Sequence, residues 1–274
     1  MSILGTRIGL YTKNMKTMNR INQLFARKKH DILSIYYTAG FPASNDTLRV
    51  AQYLEKAGAD MIEIGIPFSD PLADGPTIQE SNKMALDQGM TLELLFEQLA
   101  DLRSSVSIPV ILMGYINPVI QYGVEKFCRS CQQRGVDGLI LPDLPMQEYQ
   151  QEYREMFEAY GLKNIFLITP QTSDERIREV DAHSDSFIYM VSSASTTGAK
   201  NSFGSAQDEY FKKVDRLKLT NPTLVGFGIS NRSTYEQATR YSAGAIIGSA
   251  FIHLLSGAKD LENDITKFVK EIKE

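Results

Sequence analysis

Cysteine and histidine are scarce in this 274-residue chain, with two of the first and three of the second. Cys128 and Cys131 form a C-x-x-C pair inside the helical pattern "FCRSCQQRG". With no second pair to complete a zinc site and no thioredoxin-like surroundings, they read as reduced helix residues rather than as a redox or metal centre. His30, His183 and His253 are scattered singly, without metal-ligand spacing. An excess of positive charge is also missing. The formal charge is -4 and the pI near 5.6, with acids and bases interspersed, so there is no basic stripe for nucleic acid or anionic lipid. No apolar run reaches the ~18 residues of a membrane span, and no apolar stretch with a small-residue cleavage site marks a secretory signal. These absences predict a cytoplasmic protein whose partners are small molecules or other proteins.

What is present is a regular alternation. Eight apolar, β-branched runs recur along the chain: "ILSIYYT", "MIEIGIP", "PVILMGY", "DGLILPD", "NIFLITP", "FIYMVSS", "TLVGFG" and "AGAIIGS". Between them lie helical patterns, such as Leu92, Leu95, Phe96, Leu99 and Leu102 on one face, and "QEYQQEYREMFEAYG" ending at a glycine. Similar phrases lead into several strands ("KAGADMIEIG", "QRGVDGLILPD", "AYGLKNIFLIT"), each with a glycine stop before the strand. No glycine-rich dinucleotide turn follows the first strand, so an open doubly wound sheet is disfavoured. The pattern predicts an α/β fold, a single (β/α)8 TIM barrel over residues 18–274. An N-terminal helix at "MNRINQLFARKK" precedes the first strand, and residues 1–17 form a short extension outside the barrel. Met15 and Met18 are alternative starts. The active site of such a barrel belongs on the loops at the C-terminal ends of its strands.

The second run contains an acid. In "DMIEIGIP" Ile62, Ile64 and Ile66 share one face, and Met61, Glu63 and Gly65 share the other. The isoleucines suit the surrounding helices, which turns Glu63 inward. None of the eight runs carries Lys or Arg, so Glu63 has no cationic partner in the barrel wall. Desolvation should then raise its pKa toward neutrality, as a group that both gives and takes a proton requires. The loop "PFSDPLADGP" follows, stiffened by Pro67, Pro71 and Pro76 and carrying Asp70 and Asp74. Either acid suits a positioned carboxylate over the barrel mouth. Ordinary turn chemistry explains both equally well, and Thr77 with Glu80 fits a capping box for the next helix. Two glycine turns close the last two strands, Gly226-Phe227-Gly228 and Gly248-Ser249. Glycines let backbone amides approach an anion, and barrels bind phosphate at this pair of loops, so the ligand is expected to carry a phosphate. The long polar loop "SSASTTGAKNSFGSAQ" after the sixth strand reads as a flap that closes over it.

"EIGIPFSDPLADGPTIQ", followed in order by "MGYINP", "LPDLP", "TTGA", "GFGIS" and "IIGSAF" and preceded by "YYTAGFP", closely resembles the tryptophan synthase alpha-subunit family from about Met18 to the C-terminus. The resemblance implies retro-aldol cleavage of 1-(indol-3-yl)glycerol 3-phosphate to indole and glyceraldehyde 3-phosphate in tryptophan biosynthesis, with no metal or organic cofactor in this chain. It places the catalytic pair on Glu63 and Asp74. Tyr36, Tyr115, Asp143, Tyr189 and Phe227 fall around the indole and glycerol portions, Thr197 and Gly198 in the flap, and Gly226, Gly228, Gly248 and Ser249 at the phosphate. It also implies a beta subunit, which holds pyridoxal phosphate, in an alpha2-beta2 complex. Asp70, Pro71 and Asn117 are the contact candidates, the last in the apolar loop "GYINPVIQYG". The chain departs from the family's pattern at Ser195, where glycine is common, and at Phe41, where aspartate is. The alternatives are a related phosphate-binding barrel and a catalytically silent barrel that acts as an allosteric partner of the beta subunit. An indoleglycerol-phosphate synthase would need a lysine acid in the wall, which the strand runs lack. Retention of Glu63 and Asp74 argues against the silent reading.

Overall fold

A computed structural model describes residues 18–71, 74–192 and 203–274. The N-terminal extension therefore lies outside the described residues, as do Ser195, Thr197 and Gly198 of the expected flap. The described residues form nine parallel strands: β1 (Ile32–Thr38), β2 (Met61–Gly65), β3 (Val110–Met113), β4 (Gly138–Ile140), β5 (Lys163–Asn164), β6 (Phe166–Ile168), β7 (Ile188–Val191), β8 (Thr223–Gly226) and β9 (Gly244–Ile247). They run in the order β5-β4-β3-β2-β1-β9-β8-β7-β6. Only Ile165 separates the two edges of that sheet. The sheet therefore curls into a nearly closed barrel with helices outside it.

The fifth of the eight expected strands is thus two. Lys163 and Asn164 pair with β4, whereas Phe166–Ile168 pair with β7. Between them Ile165 gives its N–H to the Leu139 carbonyl at 2.9 Å and turns its side chain into the barrel. The break also brings Lys163 into a strand, although the run quoted from the sequence begins one residue later. Its ammonium pairs with Asp185 and leaves the interior without a cation from this position.

Alternation decides which side chains fill the barrel. Ile32, Met61, Ile111, Ile140, Ile165, Tyr189, Leu224 and Ile246 meet in one interior cluster, completed from outside the strands by Phe187 and by Ile21, Leu24 and Phe25 of the helix Arg20–Arg27. That helix closes the N-terminal end of the barrel. Asn19 caps it by accepting the Ile21 N–H, and its amide donates to the carbonyls of Asp137 and Gly161 at 2.8 and 3.0 Å. The opposite residues of the strands, among them Leu33, Ile35, Ile62, Ile64 and Leu112, pack against the helices in the larger cluster. Each such side chain contributes ~1.5–3 kcal/mol by leaving water. At the same closed end Asp137, buried, accepts from Arg20 at 3.0 Å, Arg103 at 2.7 Å and the Val110 amide at 2.9 Å.

Two helical expectations change. The apolar face is buried from Leu95 to Leu102 and half-buried at Leu92, but it is carried by two helices, Leu92–Gln98 and Leu102–Ser105, separated by a turn. The helix expected to start with a Thr77/Glu80 capping box instead runs Pro76–Asp87, with Gly75 at its cap and no side-chain cap bond. Proline pre-set for the first helical position displaces the cap by two residues. Cys128 and Cys131 are free, buried helix residues, and burial pushes the first thiol up to about 12 and the second well above its ordinary value. All three histidines are exposed. Among the described residues no helix is long and apolar enough to cross a membrane, and no group of three His, Cys, Asp or Glu side chains could hold a metal ion.

Candidate active site

Glu63 sits where the alternation of β2 puts it, inside the barrel and fully buried. Its neighbours in the ladder are Tyr36 on one side and Ile111 on the other. Ser34 of β1 donates a hydrogen bond to Oε1 at 2.8 Å, while Oε2 has no partner among the described residues. Burial raises the pKa to about 8, against the smaller lowering effect of the Ser34 bond. At neutral pH this carboxyl is therefore mostly protonated, and its proton is available to a ligand.

The second acid comes from the loop after β2. Asp74 accepts a hydrogen bond from the Tyr115 hydroxyl at 3.3 Å, and its backbone is tied down at both ends. Its N–H donates to the Pro71 carbonyl at 3.0 Å and its own carbonyl accepts from the Gln79 amide at 2.8 Å. Burial pushes its pKa up to about 6, again opposed by the hydrogen bond. The two carboxyls thus differ in charge at pH 7, with Asp74 mostly ionised and Glu63 mostly neutral. Environments that push a pair of acids apart in this way assign one to donate a proton and the other to stabilise positive charge. Tyr115 is itself held by Phe68, whose ring lies 5.0 Å away between centroids.

Two tyrosines stand over the acids, each on a glycine. A side chain at Gly65 would meet the Tyr36 hydroxyl at 2.2 Å, and one at Gly226 would meet the Tyr189 hydroxyl at 2.1 Å. Both phenols are buried and shifted upward, Tyr36 by burial and then Asp74, Tyr189 by burial and then Glu63. Phe227 leans edge-on to Tyr189 at 6.3 Å and holds a left-handed backbone, φ 69°, with its carbonyl bonded by the Ser192 hydroxyl at 2.5 Å. A bulky residue in that conformation is strained and persists because its surroundings fix it. Gly228 follows with φ 75°. Gly248 precedes the nine-residue helix Ser249–Gly257, whose first-turn amides have no side-chain cap and suit an anion. Gly248 also lies against Tyr36, since an added Cβ would sit 3.4 Å from the ring.

The remaining predicted positions are spread along the rim. Asp143 is exposed and accepts the Ile116 N–H at 3.0 and 3.2 Å, which caps the helix Ile116–Tyr122. The segment "GYINPVIQYG", expected as a loop, is mostly this helix. Asn117 is exposed on it, as is Ile120 at 48%. Asp70 is exposed, whereas Pro71 is buried within the chain. Sequence reasoning missed Ser34, Phe68, Gly65 and Ser192. Only Gly65 carried a signal, a glycine on the inward face of β2.

A family model for the tryptophan synthase alpha chain matches residues 22–274. The tryptophan synthase alpha chain of Flavobacterium johnsoniae is 59% identical over 256 residues, covering 93% of this chain and 100% of that protein. That of Bacteroides thetaiotaomicron is 55% identical over 256 residues with the same coverage. Among solved structures, tryptophan synthase subunit alpha from Legionella pneumophila superposes with a TM-score of 0.83 at 32% identity, over 93% of this chain and 97% of that one. An aminoacrylate-bound tryptophan synthase from M. tuberculosis gives 0.80 at 28% identity, over 93% and 98%.

Proposed function

The chain belongs to the tryptophan synthase alpha chain family, the carbon–carbon lyases that split 1-(indol-3-yl)glycerol 3-phosphate, and we propose that it does so with Glu63 as proton shuttle and Asp74 as electrostatic partner. Cleavage needs the indole ring protonated at C3 and the hydroxyl on the adjacent side-chain carbon deprotonated. Glu63 in its neutral form gives its proton to C3. The resulting carboxylate then takes the hydroxyl proton as the C–C bond breaks, leaving indole and the aldehyde of glyceraldehyde 3-phosphate. The net change is one proton moved from oxygen to carbon, and Glu63 ends as it began. Asp74, ionised, accepts the indole N–H and stabilises the positive charge that grows on the ring.

The observation that carries this reading is a buried carboxyl with no cation beside it among the described residues, its pKa raised to about 8 by that burial. Tyr36, Tyr189 and Phe227 supply an apolar enclosure for indole, and Tyr115 orients Asp74. The amides at Gly226, Gly228, Gly248 and Ser249 suit the phosphate, with Thr197 and Gly198 in the flap. We assign no metal or organic cofactor to this chain. The family pairs with a beta subunit, and we place this chain in the cytoplasm in an alpha2-beta2 complex, with Asp70, Pro71 and Asn117 at the contact and pyridoxal phosphate on the partner.

The test is release of glyceraldehyde 3-phosphate from indoleglycerol phosphate by the purified chain, alone and with a matching beta subunit. Cleavage accelerated by the partner and lost in Glu63→Gln, with substrate binding retained, is the expected result. Near-normal turnover in Glu63→Gln would remove the shuttle from Glu63. No cleavage by the unaltered chain under either condition, with substrate still bound, would favour a silent allosteric barrel.

A further inference from the structure

We propose that Ser34 is the positioning residue of the proton shuttle: its hydroxyl, reaching Glu63 from the adjacent strand, fixes Oε1 and leaves Oε2 to exchange the proton. The inference rests on the role given to Glu63 above. Ser34 and Glu63 are both fully buried and 2.8 Å apart. In the ladder Ser34 stands opposite Met61, whereas Tyr36 stands opposite Glu63. The bond is therefore diagonal, and it draws the carboxyl back toward the closed end of the barrel.

The surroundings of Ser34 are otherwise apolar, with Ile32 on its own strand and Met61 across the ladder in the interior cluster. A hydroxyl in such a place is costly unless it is bonded, so its presence there is accounted for by the bond to Glu63. The choice of a hydroxyl also has a chemical reason. Ser can donate to the carboxylate and can either donate to or accept from the neutral acid, so it orients Glu63 in both halves of a shuttle cycle. A lysine or arginine would hold only the ionised form.

The groups that face Glu63 are few. Tyr36 from β1 and Tyr189 from β7 feel its charge, Asp74 acts on the same two phenols from the loop above, and Ile111 is its neighbour on β3. The Ser34 bond is the one hydrogen bond among the described residues that opposes the effect of burial on this carboxyl. Because the bond is stronger to the ionised carboxyl, its loss makes the proton harder to remove.

The experiment compares Ser34→Ala and Ser34→Thr with the unaltered full chain in two measurements. The first is an infrared pH titration of the buried carboxyl band, identified by its disappearance in Glu63→Gln. The second is the pH profile of cleavage with the beta subunit present. Ser34→Ala should titrate higher by about one pH unit and move the alkaline limb of the profile with it. Its kcat should fall about tenfold with KM little changed, and Ser34→Thr, which keeps the hydroxyl, should restore both readings. An unchanged titration in Ser34→Ala would overturn the inference while leaving the lyase reading intact. A titration that moves without any movement of the alkaline limb would instead remove Glu63 from the reaction and Ser34 with it. A lower kcat that Ser34→Thr fails to restore, with the titration unmoved, would reduce Ser34 to a packing residue.

Discussion

Replacing Glu63 by Gln should make the protein's stability less dependent on pH. In the folded chain the carboxyl titrates at about 8 because it is buried, whereas in the unfolded chain it returns to its ordinary value of 4.5. Between those two pH values the folded chain holds a proton that unfolding releases, so stability falls as pH rises through this window. The loss is about 1.4 kcal/mol per pH unit. It reaches ~3 kcal/mol at pH 7 and a ceiling of ~5 kcal/mol above pH 8. Gln cannot ionise, so the difference in unfolding free energy between Glu63→Gln and the parent should climb across the window and level off outside it. Asp74, whose folded pKa is raised to about 6, titrates in both proteins and drops out of the difference. The amide adds a buried donor at the place of Oε2, a constant offset of ~1–3 kcal/mol, so the slope and not the offset carries the test. Urea unfolding followed by circular dichroism at several pH values provides the measurement, since the chain contains no tryptophan to report by fluorescence. A difference that stays flat from about pH 5 to about pH 9 would refute the buried, protonated carboxyl.

Three further outcomes follow from the same geometry. The pH profile of kcat/KM should be bell-shaped, with limbs near the values of about 6 for Asp74 and about 8 for Glu63, and Asp74→Asn should lose both the acid limb and most of the rate. Gly226→Ala forces the Tyr189 ring off its seat and should cost ~1–3 kcal/mol by thermal or urea unfolding. Adding Tyr189→Val should recover the stability but not the cleavage. Asp137→Ala removes the counter-ion of Arg103 and Arg20 and the acceptor of the Val110 amide at the closed end, while Arg103 keeps its bonds to the Gly135, Val106 and Ile108 carbonyls, and should lower unfolding free energy by ~1–3 kcal/mol while the pH profile of the remaining activity is unchanged.

Alternation was the informative signal. One acid among isoleucines was enough to orient β2, because a strand has only two faces and three isoleucines occupy one of them. Recurrence of such runs gave the barrel, and the inward Glu63 followed. What depends on the pairing of distant strands could not be read. Ser34 is an unremarked serine until the register sets it diagonal to Glu63. Likewise the seats that Gly65 and Gly226 offer to Tyr36 and Tyr189 emerge only when the adjacent strand brings a tyrosine over each. The split fifth strand was hidden because Ile165 continues the apolar run that it interrupts. In the helices the apolar face was right, yet Leu92–Gln98 and Leu102–Ser105 share it across a turn, since periodicity reports a face and not a continuous backbone. Asp143 was placed among ligand contacts by resemblance, and the bond it makes here is to the start of a neighbouring helix.

The broken fifth strand gives the cylinder a weak seam. Cut after β4, the chain falls into two half-barrels whose sheet contacts are two residue pairs at β4–β5 and four at β1–β9. Glu63 and Asp74 belong to the first half, whereas the glycine turns at 226–228 and 248–249 belong to the second. A ligand with an aromatic end on the acids and an anionic end on those turns would clamp the halves together. Occupancy of the mouth would then be felt at the seam on the far wall, where amide exchange at Lys163 and Ile165 should slow before the rest of the barrel responds.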